Sequence, residues 1–193
     1  MIILVADTSV LIELEHAQLL ELALQGPNSF VTPDFLYDRE LANDIGPQLL
    51  TLGLQILELT ADEMTTAQTL TNTNTALSLP DCAAYVGARR PNHHLLTGDG
   101  ALRRLATAEG LTHHGVLWVM DRMLETRTAT MQQLHAGLAA LAQHPRCRLP
   151  PHEAKKRLDE WRPRRTRWIT VPRPPCVPAW PAAWPVRQRA GDE

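Results

Sequence analysis

The chain opens on six residues, Met1-Ile-Ile-Leu-Val-Ala6, with no charged or hydroxyl-bearing side chain, and the run stops abruptly at Asp7-Thr8-Ser9. A continuous β-branched and aliphatic run of this kind suits a strand buried on both faces, the type found in parallel sheets. Parallel neighbours cannot be joined by tight hairpins and need crossover connections, usually helices. The opening residues therefore predict a β-α-β succession, with Asp7-Thr8-Ser9 supplying cap residues for the first helix.

The rest of the chain keeps that promise. Residues 10–25 read as a helix closed by Gly26-Pro27-Asn28, and 29–31 as a second strand. Thr32-Pro33 pairs a cap residue with proline at the first helical position, opening a helix to about 43–45. Gly46-Pro47 interrupts it, and 48–52 make a further turn. Residues 54–59 form a third strand, and Thr60 with Glu63 matches a capping box for a helix to Leu70. The Asn/Thr-rich stretch 71–76 reads as a loop. Ser78-Leu-Pro-Asp81 opens a helix over 83–90, and 94–97 is a fourth strand followed by the turn Gly98-Asp99-Gly100. A helix over 101–109, a strand over 112–116, and helices over 117–126 and 131–143 complete the pattern. This alternation predicts an α/β fold with a central parallel sheet of about five strands and helices on both faces.

Charge divides the chain. Residues 150–193 hold ten Lys/Arg against five Asp/Glu, whereas the whole chain carries a formal charge of -2, so the first 149 residues are acidic. One domain is expected over 1–149, followed by a basic, Pro/Trp-rich, flexible extension over 150–193 that is dispensable for folding. Within it, 162–193 reads as extended or disordered. Trp161 and Trp168, flanked by Lys155, Lys156 and several arginines, could grip nucleic acid by charge and stacking. Cys82, Cys147 and Cys176 are far apart and odd in number, which argues against a disulfide framework or a zinc site. No apolar run approaches the roughly 20 residues of a membrane span, and the apolar start lacks the flanks of a signal peptide. A cytoplasmic protein is expected.

Ligands of open parallel sheets bind beyond the carboxyl ends of the strands. Asp7 follows strand one and Asp99 strand four, while Asp81 starts the helix before strand four. A fourth acid comes from the helix after strand two. Asp38 lies on the helical stripe Phe35, Asp38, Ala42, Ile45 that marks a core-facing side, and Glu40 lies beside it and precedes Leu41. Both stay open. Clustered carboxylates raise one another's pKa unless a cation intervenes, and hard divalent ions with oxygen ligands are the natural partner. Such a site suits metal-assisted phosphodiester hydrolysis. An acidic body is compatible with nucleic acid on these terms, because a bound ion inverts the local charge.

Three motifs carry a resemblance. Val5-Ala-Asp7-Thr8-Ser9-Val10-Leu11-Ile12, Leu77-Ser-Leu-Pro-Asp81-Cys-Ala-Ala and Leu95-Leu-Thr97-Gly98-Asp99-Gly-Ala-Leu-Arg103 resemble, in order and spacing, the acidic motifs of the PIN-domain family over residues 1–126. Glu40-Leu41 resembles the family's common E-L pair. The resemblance implies a three-layer α/β/α sandwich and a Mg²⁺- or Mn²⁺-dependent ribonuclease. Asp7, Asp81 and Asp99 would be catalytic, and these three with Asp38 or Glu40 would hold the metal. Ser9 and Thr97 would orient the ligands, and Arg103 would contact RNA. Many small members are toxins of the VapC type, which implies a homodimer and an antitoxin partner, although the long extension is unusual for a compact toxin.

Other functions compete. A PIN protein that mainly binds RNA or a partner, or another Mg²⁺-dependent carboxylate-site phosphohydrolase, would share the acids. An aspartyl phosphatase needs a second Asp two residues after the first, where this chain has Ser9, and a receiver domain needs a Lys that residues 1–126 lack altogether. No P-loop motif or nucleophile elbow is present. His93-His94 and His113-His114 sit on strands, where neighbours point to opposite faces, and read as structural or surface histidines.

Overall fold

The computed structural model describes residues 2–145 and 149–163. Strand β1 (Ile3–Ala6) is followed by α1 (Thr8–His16), α2 (Leu20–Leu24), β2 (Ser29–Pro33) and α3 (Asp34–Leu36), which runs on as a π-helical turn, Tyr37–Leu41. Then come α4 (Gly46–Leu52), β3 (Gln55–Leu57), α5 (Ala61–Thr73), α6 (Leu79–Ala88), β4 (His93–Leu96), α7 (Gly100–Ala108) and β5 (His113–His114). Helices α8 (Val116–Glu125), α9 (Met131–Gln143) and α10 (Pro151–Glu160) follow.

The five strands form one sheet in the order β3-β2-β1-β4-β5, and every pairing is parallel. Helices on both faces make the expected α/β/α sandwich. Val5 sits between Val31 and Leu95 in register, so β1 is the centre of the sheet, and Leu4, Val5 and Ala6 are fully buried. That explains the unbroken apolar run: a central parallel strand has no wet face. The strand order reverses between β1 and β4, and such a switch point opens a crevice beyond the strand ends. Asp7 and Thr97 to Asp99 flank it.

Several local expectations need correction. The helix expected over 10–25 is broken at Gln18, whose φ is 56°. Helix α9 presses on this turn: a Cβ at Gly137 would lie 2.7 Å from the Ala17 carbonyl oxygen, so only glycine permits the approach. Thr32 is the penultimate residue of β2 and caps no helix; its Oγ1 donates to the Ala6 carbonyl at 3.2 Å and is buried in the sheet. Helix α5 continues to Thr73, three residues into the stretch read as a loop. Its threonines bond back one turn, Thr69 to the Thr65 carbonyl and Thr71 to that of Ala67, which satisfies the hydroxyls inside the helix.

The largest correction concerns the boundary expected at residue 149. The chain divides into units Met1–Pro163 and Arg164–Glu193, so α10 belongs to the body. Ala154 and Trp161 are buried in the core, with Leu149 and Leu158 packed against it. Arg157 clamps Asp121 on α8 with two hydrogen bonds of 2.9 and 2.6 Å. Beyond Pro163 the expected extended segment, with Trp168, Cys176 and the proline cluster, lies outside the described residues, and so does Cys147. Among the described residues, no helix is long and apolar enough to cross a membrane.

Candidate metal centre and nuclease site

Asp7 stands at the carboxyl end of β1 and at the N-terminus of α1, where its main-chain N–H donates to the Leu96 carbonyl at 2.9 Å and ties the ends of β1 and β4 together. Its side chain is 5% exposed. Ser9 Oγ donates to Asp7 Oδ2 at 2.7 Å, and Thr97 Oγ1 donates to the same oxygen at 2.9 Å. Each hydroxyl also accepts from the β4–α7 loop: Gly98 N–H reaches Ser9 Oγ at 3.0 Å, and Asp99 N–H reaches Thr97 Oγ1 at 3.0 Å. Ser9 and Thr97 thus form a cradle that fixes one carboxylate oxygen and aligns the loop carrying the next acid.

Asp99 caps α7, its Oδ1 accepting from Leu102 N–H at 2.7 Å. Asp81 closes the capping box of α6: its Oδ2 accepts from the Ser78 N–H at 2.8 Å and the Ser78 hydroxyl at 2.7 Å. Proline at the first turn and Ser78 at the cap are the local reasons this helix starts where it does. Glu40 Oε2 accepts from Thr8 Oγ1 at 2.6 Å, which brings the π-helical turn to the start of α1.

Electrostatics link these acids. Burial pushes the Asp7 carboxyl from its ordinary 3.8 up to about 6; the Ser9 and Thr97 hydroxyls oppose the rise, and the charges of Asp81 and Glu40 add to it. Glu40 and Asp81 therefore approach Asp7 closely enough to repel it. The core-facing stripe proposed for Asp38 is also corrected, because Asp38, like Glu40, is exposed. The buried pair is Leu36 and Leu41. Their spacing of five is what a π-helical turn brings onto one face, and it displaces the 3.6-residue stripe.

The chemistry of the donor set fits a divalent cation in kind, since all four groups are hard oxygen donors. Asp7, Asp81, Asp99 and Glu40 each accept these bonds on a single oxygen, so in each the second carboxylate oxygen takes none of them. Among the described residues, no three His, Cys, Asp or Glu side chains are gathered tightly enough to enclose an ion as they lie.

Arg103 sits one turn into α7, and its Nη1 lies 4.0 Å from where a Cβ on Gly115 would be. Glu13 was not singled out from sequence. Its carboxylate oxygens lie 3.4 and 3.6 Å from the Cβ position of Gly98. The signal was its place four residues after Ser9, on the same face of α1. Two of the strand histidines pack on each other: His94 Nδ1 meets His114 Nε2 at 3.1 Å, and His114 stacks on Trp118 with ring centroids 3.8 Å apart. Burial, with His94 and His113 nearby, lowers the His114 pKa to about 4.

A family model described as a PIN domain matches residues 3–163, most of the chain. Among curated proteins and solved structures, none is similar enough to register a match. PIN domains are generally nucleases that act on RNA and typically use divalent metal ions. With the parallel sheet, the acids at its switch point and this match agreeing, the chain belongs to the PIN-domain family.

Proposed function

We propose that the protein is a Mg²⁺- or Mn²⁺-dependent endoribonuclease. The observation that carries the reading is the convergence on buried Asp7: two hydroxyls hold one of its oxygens, and the charges of Asp81 and Glu40 raise its pKa. Burying a carboxylate among like charges is unfavourable unless a cation joins it. Asp7, Glu40, Asp81 and Asp99 would hold the ion. When bound, a divalent ion supplies an activated water and charge stabilisation at the leaving oxygen.

The chain's own residues do the rest. Ser9 and Thr97 keep Asp7 oriented, the role outer-shell hydrogen bonds play for ligating carboxylates. The hydrogen bonds from Ser78 and from the Leu102 N–H hold Asp81 and Asp99 at helix starts, where the helix dipole favours negative charge. Arg103, on the same helix as the Asp99 cap, offers a cation to a phosphate of the bound strand. The resemblance to VapC-type toxins extends the proposal to a cytoplasmic homodimer restrained by an antitoxin, and gel filtration of the purified chain tests the dimer.

Incubation of a mixed RNA pool with Mn²⁺, Mg²⁺ or EDTA tests the activity. Internal cutting with either ion and none with EDTA is expected. Cutting undiminished by EDTA, or no cutting with both ions, contradicts the proposal.

A further inference from the structure

Beside the acids lies a cavity of about 240 Å³. Gly98 belongs to both: its N–H supports Ser9 in the Asp7 cradle, and its other side walls the cavity. Arg103 from α7, Gly115 and Trp118 at the start of α8, Arg157 and Glu153 from α10 and Glu13 from α1 line it as well. The helix expected to be part of a dispensable extension is thus one side of a pocket next to the candidate metal centre.

The charges are unequal. Arg157 is neutralised by Asp121 and Glu153, at 2.6 and 2.7 Å. Among the described residues, Arg103 enters no such ion pair, so it is the cation with charge to offer a ligand. Trp118 and His114, stacked on each other with the Arg122 guanidinium 5.9 Å from the Trp118 ring, both line the cavity. An aromatic plane beside an arginine is how single-stranded RNA bases are commonly held. The volume is below the roughly 300 Å³ at which ordinary small-molecule pockets begin, so it suits one ring system better than an independent metabolite. The shared Gly98 wall means that a group filling the cavity adjoins whatever the acids hold.

We propose that this cavity seats one base of the RNA strand, immediately beside the scissile phosphate, and sets the nucleotide preference of cleavage. The proposal rests on the nuclease reading above. Gly115 is the residue to test. Its backbone is extended, φ -119° and ψ -178°, so any side chain is allowed there. A Cβ would meet only the Thr97 carbonyl at 3.7 Å and Arg103 at 4.0 Å, both ordinary contacts. Gly115→Val fills the cavity without touching an acid, and Gly115→Ala is a milder version should the first fold poorly.

Two measurements decide it. The four nucleoside 5′-monophosphates are titrated in EDTA against wild type and both variants, following the Trp118 indole N–H by NMR. In parallel, cleavage ends in a random RNA pool are sequenced with Mn²⁺. The expected result is saturable binding of one nucleotide best, the same base enriched beside the cut, and both weakened about tenfold or more in Gly115→Val, with Mn²⁺ affinity unchanged. No saturable shift in wild type, or binding and base preference that survive Gly115→Val, overturns the proposal. If RNA is never cut while nucleotide binding is still lost in the variant, the base pocket stands and the nuclease reading falls.

Discussion

Thr97 lies ninety positions beyond Asp7 in the chain, yet its hydroxyl donates to Asp7 Oδ2 at 2.9 Å, and Thr97 is wholly buried. The same hydroxyl accepts from Asp99 N–H. One side chain thereby couples the acid ending β1 to the acid following β4, across the reversal of strand order. Thr97→Val keeps the shape and removes both bonds. Stranding the Asp99 N–H should cost about 1–3 kcal/mol of stability, and Mn²⁺ affinity should weaken roughly 10- to 100-fold. Calorimetric Mn²⁺ titration of wild type and variant, each melted alongside, measures both effects; equal Mn²⁺ affinities would assign Thr97 to the core alone.

Asp7 sets a pH dependence whose sign is opposite to that of most carboxylates. Its folded pKa, about 6, lies above its ordinary 3.8. Between those values the folded chain holds a proton that the unfolded chain has lost. Stability present below about pH 4 should therefore fall as pH rises towards 6, by about 3 kcal/mol at most. In EDTA, Asp7→Asn should abolish that fall and be the more stable protein at neutral pH, and Mn²⁺ should stabilise wild type alone. Urea melts across this range check it, and a wild type that gains stability between pH 4 and 6 while the variant does not would reverse the assignment.

Glu40 rather than Asp38 bonds Thr8, and its charge raises the Asp7 pKa. Glu40→Gln should reduce RNA cleavage more than about 100-fold, losing a charge that faces the developing phosphate chemistry. Asp38→Asn should stay within about threefold of wild type. Initial rates with saturating Mn²⁺ separate the two, and the reverse ranking would move the second acid to Asp38.

How much of this was legible follows from which signals are local. The apolar opening run and the cap residues after it located Asp7, and the Ser-Leu-Pro-Asp start located Asp81, because strand burial and helix capping are written in adjacent residues. Which of Asp38 and Glu40 meets Thr8 was not legible: the backbone there is a π-helical turn with Leu36 and Leu41 buried, not the 3.6-residue helix that the stripe assumes. The helix break at Gln18 depends on Gly137, more than a hundred residues away. Helix α10 was hidden by its charge. Its apolar stripe, Ala154, Leu158 and Trp161, keeps the i, i+4, i+7 spacing but is only one residue wide.

That helix gives a sharp truncation test. A chain ending at Pro163 should unfold as cooperatively as the full chain. One ending at Leu149 loses buried Trp161 and Ala154 and leaves Asp121 without Arg157. Burial of a large aromatic is worth about 1.5–3 kcal/mol by itself, so this shorter chain should lose several kcal/mol in urea melts. Equal midpoints for the two truncations would show α10 to be peripheral.

The most direct test of the central claim is RNA cleavage with Mn²⁺ by wild type and by Asp7→Asn, both confirmed folded. The substitution keeps an oxygen for Ser9 and Thr97 and removes only the charge. Internal cutting by wild type, reduced to background in Asp7→Asn, is the predicted result. Cutting by Asp7→Asn at the wild-type rate would mean that the buried carboxylate at the end of β1 is not where this protein does its chemistry.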